Sequence, residues 1–79
     1  MELFSVLNNV NDKNSFLYFL SMLRDDYINN KKTWENQSID SYIDSIIAWI
    51  NDYEGDDINT DNPNWKSISA MFYMGKLYE

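Results

Sequence analysis

Oxygen-bearing side chains alternate along Asp57-Ile58-Asn59-Thr60-Asp61-Asn62, and no other stretch comes as close to a site for chemistry. Every second position of a loop can turn toward one point, which is how calcium loops gather oxygen ligands around a hard cation. Two required features are missing here. Counted from Asp57, the twelfth position is Ile68 where a bidentate glutamate belongs, and the eighth is Asn64 in place of an apolar residue. Asn62 stands where such loops carry glycine, a change that asparagine's tolerance of left-handed dihedrals permits. The stretch reads as a polar, capped loop, and no metal or cofactor is expected.

Two other arrangements could in principle do chemistry. Asp25-Asp26 with Asn29, and Asp40 with Asp44, put carboxylates on single helical faces. Such pairs hold magnesium in all-α enzymes acting on diphosphates. Those enzymes need further acids facing across a cavity, for which 79 residues leave little volume. The chain has eight serines but no histidine and no cysteine, so an activated serine would need a lysine or a carboxylate as its base. No lysine lies in an apolar run that would lower its pKa. The chain is expected not to be an enzyme.

Charge says more about partners. Thirteen acidic residues against six basic ones give a net charge of −7. Phosphate backbones and anionic membrane surfaces attract lysine and arginine, so both are excluded as partners. The acids at 52, 54, 56, 57 and 61 are unrelieved by any base, and such a surface steers a basic protein toward itself. Trp34 beside Glu35 adds an aromatic anchor next to a carboxylate. The candidate interaction surface is therefore Trp34, Glu35, Asp52, Glu54, Asp56, Asp57 and Asp61. Three Trp, six Tyr and four Phe are many for so small a core. Some must be exposed, which makes a homodimer a further expectation.

The longest apolar runs, Phe16 to Leu20 and Ile46 to Ile50 among them, are five residues each, against about 20 for a membrane-spanning helix. The N-terminus lacks the positive region of a secretory signal. A cytoplasmic location is the expectation from these features, and the absence of cysteine agrees with it. Eleven Asn and eight Ile hint at AT-rich bacterial coding.

Residues 1–79 form one domain at this length. Glycine occurs twice and proline once, and scarce breakers with apolar spacings of three and four predict helices. Leu3, Phe4, Leu7 and Val10 share a face of a short first helix, interrupted by Asn8, Asn9, Asn11 and Asp12. Asp12 or Asn14 caps a second helix bearing Phe16, Phe19, Leu20, Leu23 and Tyr27. Asn29 to Lys32 end it, with both lysines at the negative end of its dipole. Ser38 caps a third helix with Ile39, Tyr42, Ile43, Ile46, Trp49, Ile50 and Tyr53 on its inner face, and with Asp44, Ser45 and Asn51 among those outside. Gly55 is the expected left-handed stop. After a loop, Asn62 caps and Pro63 opens a last helix carrying Trp65, Ile68, Met71, Phe72, Gly75 and Tyr78. Gly75 costs that helix about 1 kcal/mol relative to alanine, and close approach of another helix compensates. The fold class is all-α: a small antiparallel bundle of three main helices with a short N-terminal helix.

Between the second and third helices, Trp34-Glu35-Asn36 forms a turn in which Trp34 plugs the gap. Asn36 or Ser38 caps the third helix, and Glu35 accepts bonds from neighbouring backbone or from the Tyr78 hydroxyl. This turn joins Phe16-Leu17, Phe19-Leu20, Tyr42-Ile43, Ala48-Trp49-Ile50, Asn64-Trp65-Lys66 and the closing Gly75-Lys76-Leu77-Tyr78-Glu79 in a recognisable series. The series resembles a family of short bacterial domains of unknown function, which pair a Phe-Leu-x-Phe-Leu-like helix with a Trp-Glu-Asn turn and an aromatic-rich C-terminal helix ending Tyr-Glu. Leu77 departs from that family's preference for isoleucine. The resemblance implies no activity and assigns no residue a role.

Three functions compete. The chain reads first as a protein-interaction module with no enzymatic activity. It reads second as an immunity or antitoxin-like inhibitor of a basic toxin, whose capture charge complementarity would speed. The third reading, a divalent-metal enzyme built on the acidic pairs, is the least favoured.

Overall fold

Helix starts in this chain are set by short side chains that turn back on the backbone. In the computed structural model, which describes residues 2–78, Asp12 accepts a bond from the Ser15 amide at 2.8 Å, and the Ser15 hydroxyl accepts one from the Asp12 amide at 3.0 Å. This reciprocal box satisfies two donors that a helix N-terminus otherwise leaves free. The helices are α1 (Leu3–Asn8), α2 (Lys13–Asn30), α3 (Ile39–Asp52) and α4 (Trp65–Leu77), with a 3-10 turn at Lys31–Thr33 after α2. No strand occurs among the described residues. The fold is the expected all-α bundle.

Two boundaries differ from the sequence reading. The last helix is capped by Asn64, whose Oδ1 accepts from the Ser67 amide at 2.8 Å, and not by Asn62. The chain is still turning at Asn62, because Asn59 Oδ1 accepts from the amides of both Asp61 and Asn62. Gly55 is not a left-handed stop either: no described residue has positive φ, and α3 ends on an extended Tyr53 at φ −70°, ψ 127°. The Tyr53 ring lies 4.9 Å from that of Trp49, and its hydroxyl bonds Asp57. Gly55 leaves room for that hydroxyl to pass.

Every other helix packs on α4. Tyr42, early in α3, donates from its hydroxyl to the Phe72 carbonyl late in α4 at 2.7 Å. Trp49, late in α3, lines a cavity with Ser67 early in α4, so the two helices run antiparallel. Against α2 the order is parallel, with Phe16 on Trp65 at 5.3 Å and Asp26 paired with Lys76 at 2.8 Å. The α3 contact is close at Gly75, where a Cβ would stand 2.6 Å from Tyr42 Cε1 and 2.8 Å from Ile46 Cγ1. The glycine expected to admit a neighbouring helix does so. Leu3, Val6, Leu7 and Val10 of the N-terminal segment complete one buried cluster with Phe19, Leu23 and Trp34.

The backbones of α2 and α3 flank α4 without approaching each other closely, and the bundle is open between them as a groove that both helices line. The inner face of α3 is accordingly rotated from the expected one. Ser45, expected outside, is buried and bonds the Tyr78 carbonyl. Ile43, expected inside, is 44% exposed, and Ile39 is 76% exposed. Contact with α4 through Tyr42, Ser45 and Trp49 turns the isoleucines outward. The body is flattened, 31 × 27 × 16 Å.

Candidate functional site

Trp34 follows the 3-10 turn in extended conformation, which swings its indole inward. The ring sits between Tyr27 at 5.0 Å and Tyr42 at 5.7 Å and is 6% exposed. Its Nε1 donates to Asp26 Oδ2 at 2.8 Å, and the same oxygen receives Lys76 Nζ at 2.8 Å. That ammonium also stands 5.9 Å from the indole centre, within reach of a cation–π attraction. Burial pushes the Asp26 carboxyl up. The bonds from Lys76, Trp34 and Asn30, with the Lys76 charge, outweigh burial and hold it below the usual value.

Asn36 does not cap α3, which is capped by Ser38. Its amide reaches instead to the far end of the chain, donating to the Gly75 carbonyl at 3.1 Å and the Tyr78 carbonyl at 2.6 Å. The Glu35 amide donates to the Lys76 carbonyl at 3.0 Å. The last carbonyls of a helix have no partners within it, and this turn supplies them for α4. The Tyr78 hydroxyl bonds Asp52 at 2.7 Å and not Glu35. Trp34-Glu35-Asn36 is thus a clamp on α4, and Trp34 itself presents almost nothing to a partner.

The acids of the candidate surface scatter along an exposed path. Asp52 and Asp57 are engaged by Tyr78 and Tyr53, while Glu54, Asp56 and Asp61 point to solvent. Asn59 spends its side-chain oxygen on the backbone turn, so the alternating oxygens of 57–62 do not converge. Among the described residues no three carboxylates lie where one cation could join them. Asp25 lies against Arg24 at 3.2 Å, and with Asp26 held by Trp34 and Lys76 neither acid of that pair faces a cavity with Asp40 and Asp44. Two of the three buried serines are also occupied: Ser69 donates to the Trp65 carbonyl at 2.9 Å and Ser45 to that of Tyr78.

The feature missed in the sequence is the seam between α2 and α3. It is a groove of 410 Å³ with Leu20, Leu23 and Tyr27 on one wall, Ile39 and Tyr42 on the other, and Phe72 of α4 as the floor. Trp34 closes one end. The walls stay apolar beyond the groove, with Ile43 44% and Ile47 61% exposed on α3, and Leu17 and Ile28 exposed on α2. A signal existed: isoleucines at 39, 43, 46, 47 and 50 make a flank of α3 beside its Tyr42–Trp49 face, and together the two are wider than one neighbouring helix covers.

These features define a small helical domain whose polar groups are largely committed to helix ends and whose apolar surface is only partly covered. The chain belongs to the Family of unknown function (DUF7660), whose model matches residues 12–79. The match begins at the cap of α2 and leaves α1 ahead of it. Among curated proteins and among solved structures, none matches the chain.

Proposed function

We propose that the domain is a protein-interaction module with no enzymatic activity. The observation that carries this reading is the seam, where Ile39, Ile43 and Ile47 stand 76%, 44% and 61% exposed along one flank of a helix. Contiguous apolar surface of this kind marks a binding face. The acid-rich path from Asp52 to Asp61 is a second face, suited to steering a basic protein. Asp57 and Ile58 from that path line a separate cavity with Phe4 and Leu7, on the α1 side of the molecule. The two faces are therefore distinct.

A photo-cross-linking residue placed in the full chain at Ile43, at Asp56 or at Tyr18 tests this in the native cell. A covalent adduct with a polypeptide is expected from position 43 or 56 and not from 18. No adduct from either of the first two positions, or equal adducts from all three, would overturn the reading.

A further inference from the structure

We propose that a second copy of this chain closes the seam, with α2 of each protomer lying over α3 of its partner. The inference rests on the reading of the seam as an interaction surface and names what covers it. The directions of the helices suit a two-fold axis. Since α3 is antiparallel to α4 and α2 is parallel to it, α2 and α3 run in opposite senses. A two-fold axis along the helices exchanges their places, so each α2 meets an oppositely running α3. The four then form an antiparallel four-helix bundle of two self-complementary layers.

Both walls supply apolar surface for it. Leu17, Leu20, Arg24 and Ile28 recur at spacings of three and four along α2, and Ile39, Ile43 and Ile47 along α3, so each set forms one stripe. Helices of 18 and 14 residues are ~27 and ~21 Å long and ~10 Å across, a face of ~500 Å² in flat projection. Side-chain relief takes accessible area above that projection, toward the ~800 Å² per partner of a standard interface.

Charge at the seam also matches, despite the net charge of −7. The Arg24 side chain, paired with its neighbour Asp25 at 3.2 Å, is still 67% exposed on the α2 wall. Asp40 and Asp44 follow Ile39 and Ile43 by one position and border the isoleucine flank on its solvent side. The Tyr27 hydroxyl donates to the Gln37 carbonyl at 2.5 Å, so Arg24 and the first turns of α3 lie at one end of the groove. Exchange by the two-fold sets each Arg24 beside the partner's Asp40 and Asp44. None of the acids of 52–61 lines the seam groove, and Asp57 faces the cavity on the α1 side.

Sedimentation of the full chain from about 1 to about 200 μM decides the matter, since association follows mass action. A species at twice the 9.4 kDa of one chain is expected. Ile43→Asp with Ile47→Asp should weaken it at least tenfold while far-ultraviolet circular dichroism keeps its helical signal, since both side chains are exposed. Arg24→Glu should weaken it, and adding Asp40→Lys with Asp44→Lys to that variant should restore it. Tyr18→Ser, on another face of α2, should leave it unchanged. A monomer throughout the range, or a dimer indifferent to the seam and charge variants, overturns the inference. If a monomer at these concentrations still cross-links from position 43 to a different protein, only the second copy is refuted and the module reading stands.

Discussion

At the scale of single residues, Trp34 joins packing, hydrogen bonding and charge at one point. Its indole is packed by two tyrosines, bonded to Asp26 and roofed by Lys76. Replacement by alanine removes a buried aromatic and strips Asp26 of a donor, so Trp34→Ala should cost on the order of 3–5 kcal/mol in chemical denaturation. Titration should show the same neighbourhood from two sides. Asp26 has a native pKa below its ordinary 3.8, so its contribution is whole above that value and is lost as pH falls through the native one. Asp26→Asn should therefore lose stability at neutral pH, with the deficit shrinking in acid. Burial pushes the Tyr42 phenol from 10.0 up to about 12. That raised value makes its contribution complete below 10.0 and lost as pH climbs toward 12. Tyr42→Phe should flatten the alkaline arm of the pH–stability curve. Trp34 as the plug beside the helices was legible from its place between two apolar stripes. Asn36 was not, because its partners are 39 and 42 residues away and no local spacing points to them.

At the scale of elements, the two glycines make opposite predictions. Gly75 lies mid-contact, where a Cβ meets Tyr42 and Ile46 at 2.6 and 2.8 Å. Tyr42 is itself pinned by its bond to Phe72. Gly75→Ala should destabilise the domain by about 1–3 kcal/mol through overpacking, although alanine favours an isolated helix by about 1 kcal/mol. Gly55 has no positive φ, and what crosses it is the far end of the exposed Tyr53–Asp57 side-chain pair, which can swing away. Gly55→Ala should shift the midpoint by no more than about 0.5 kcal/mol. Thermal melts of both variants check the contrast. The caps at Asp12 and Ser38 were readable because each precedes a clean apolar period. The start of α4 was not, since Asn62 and Asn64 are equally good caps and only the Asn59 turn separates them. The sense of Gly75 was readable as well: a glycine inside a good helix needs a neighbour.

At the scale of the molecule, the helical class followed from spacing and scarce breakers, while the open side did not. Seven apolar residues from Ile39 to Tyr53 share one expected buried face, and periodicity cannot say how much of such an arc a neighbour covers. The groove is therefore a property of how three helices are arranged. The candidate surface divides in the same way: the acids from Asp52 to Asp61 lie outside as charge demands, whereas Trp34 lies within. Net charge gives a further prediction. With a formal charge of −7, self-repulsion opposes compaction, and raising sodium chloride from ~0.05 to ~0.5 M shortens the screening length severalfold. The melting temperature should rise with salt. A fall instead would mean that the Lys76–Asp26 and Arg24–Asp25 pairs outweigh the unrelieved acids.

The clamp of Asn36 on the end of α4 also acts as a ruler. Two donors from one amide grip carbonyls at Gly75 and Tyr78, and slipping α4 along its axis by a turn would lose both. The distance to be measured runs through α3 and α4 themselves. The 53–64 connection bridges their ends outside that measure and can lengthen at small entropic cost. Evolution and engineering alike are thus free to graft new chain into that connection, whereas a single residue added inside either helix would throw its grip out of step.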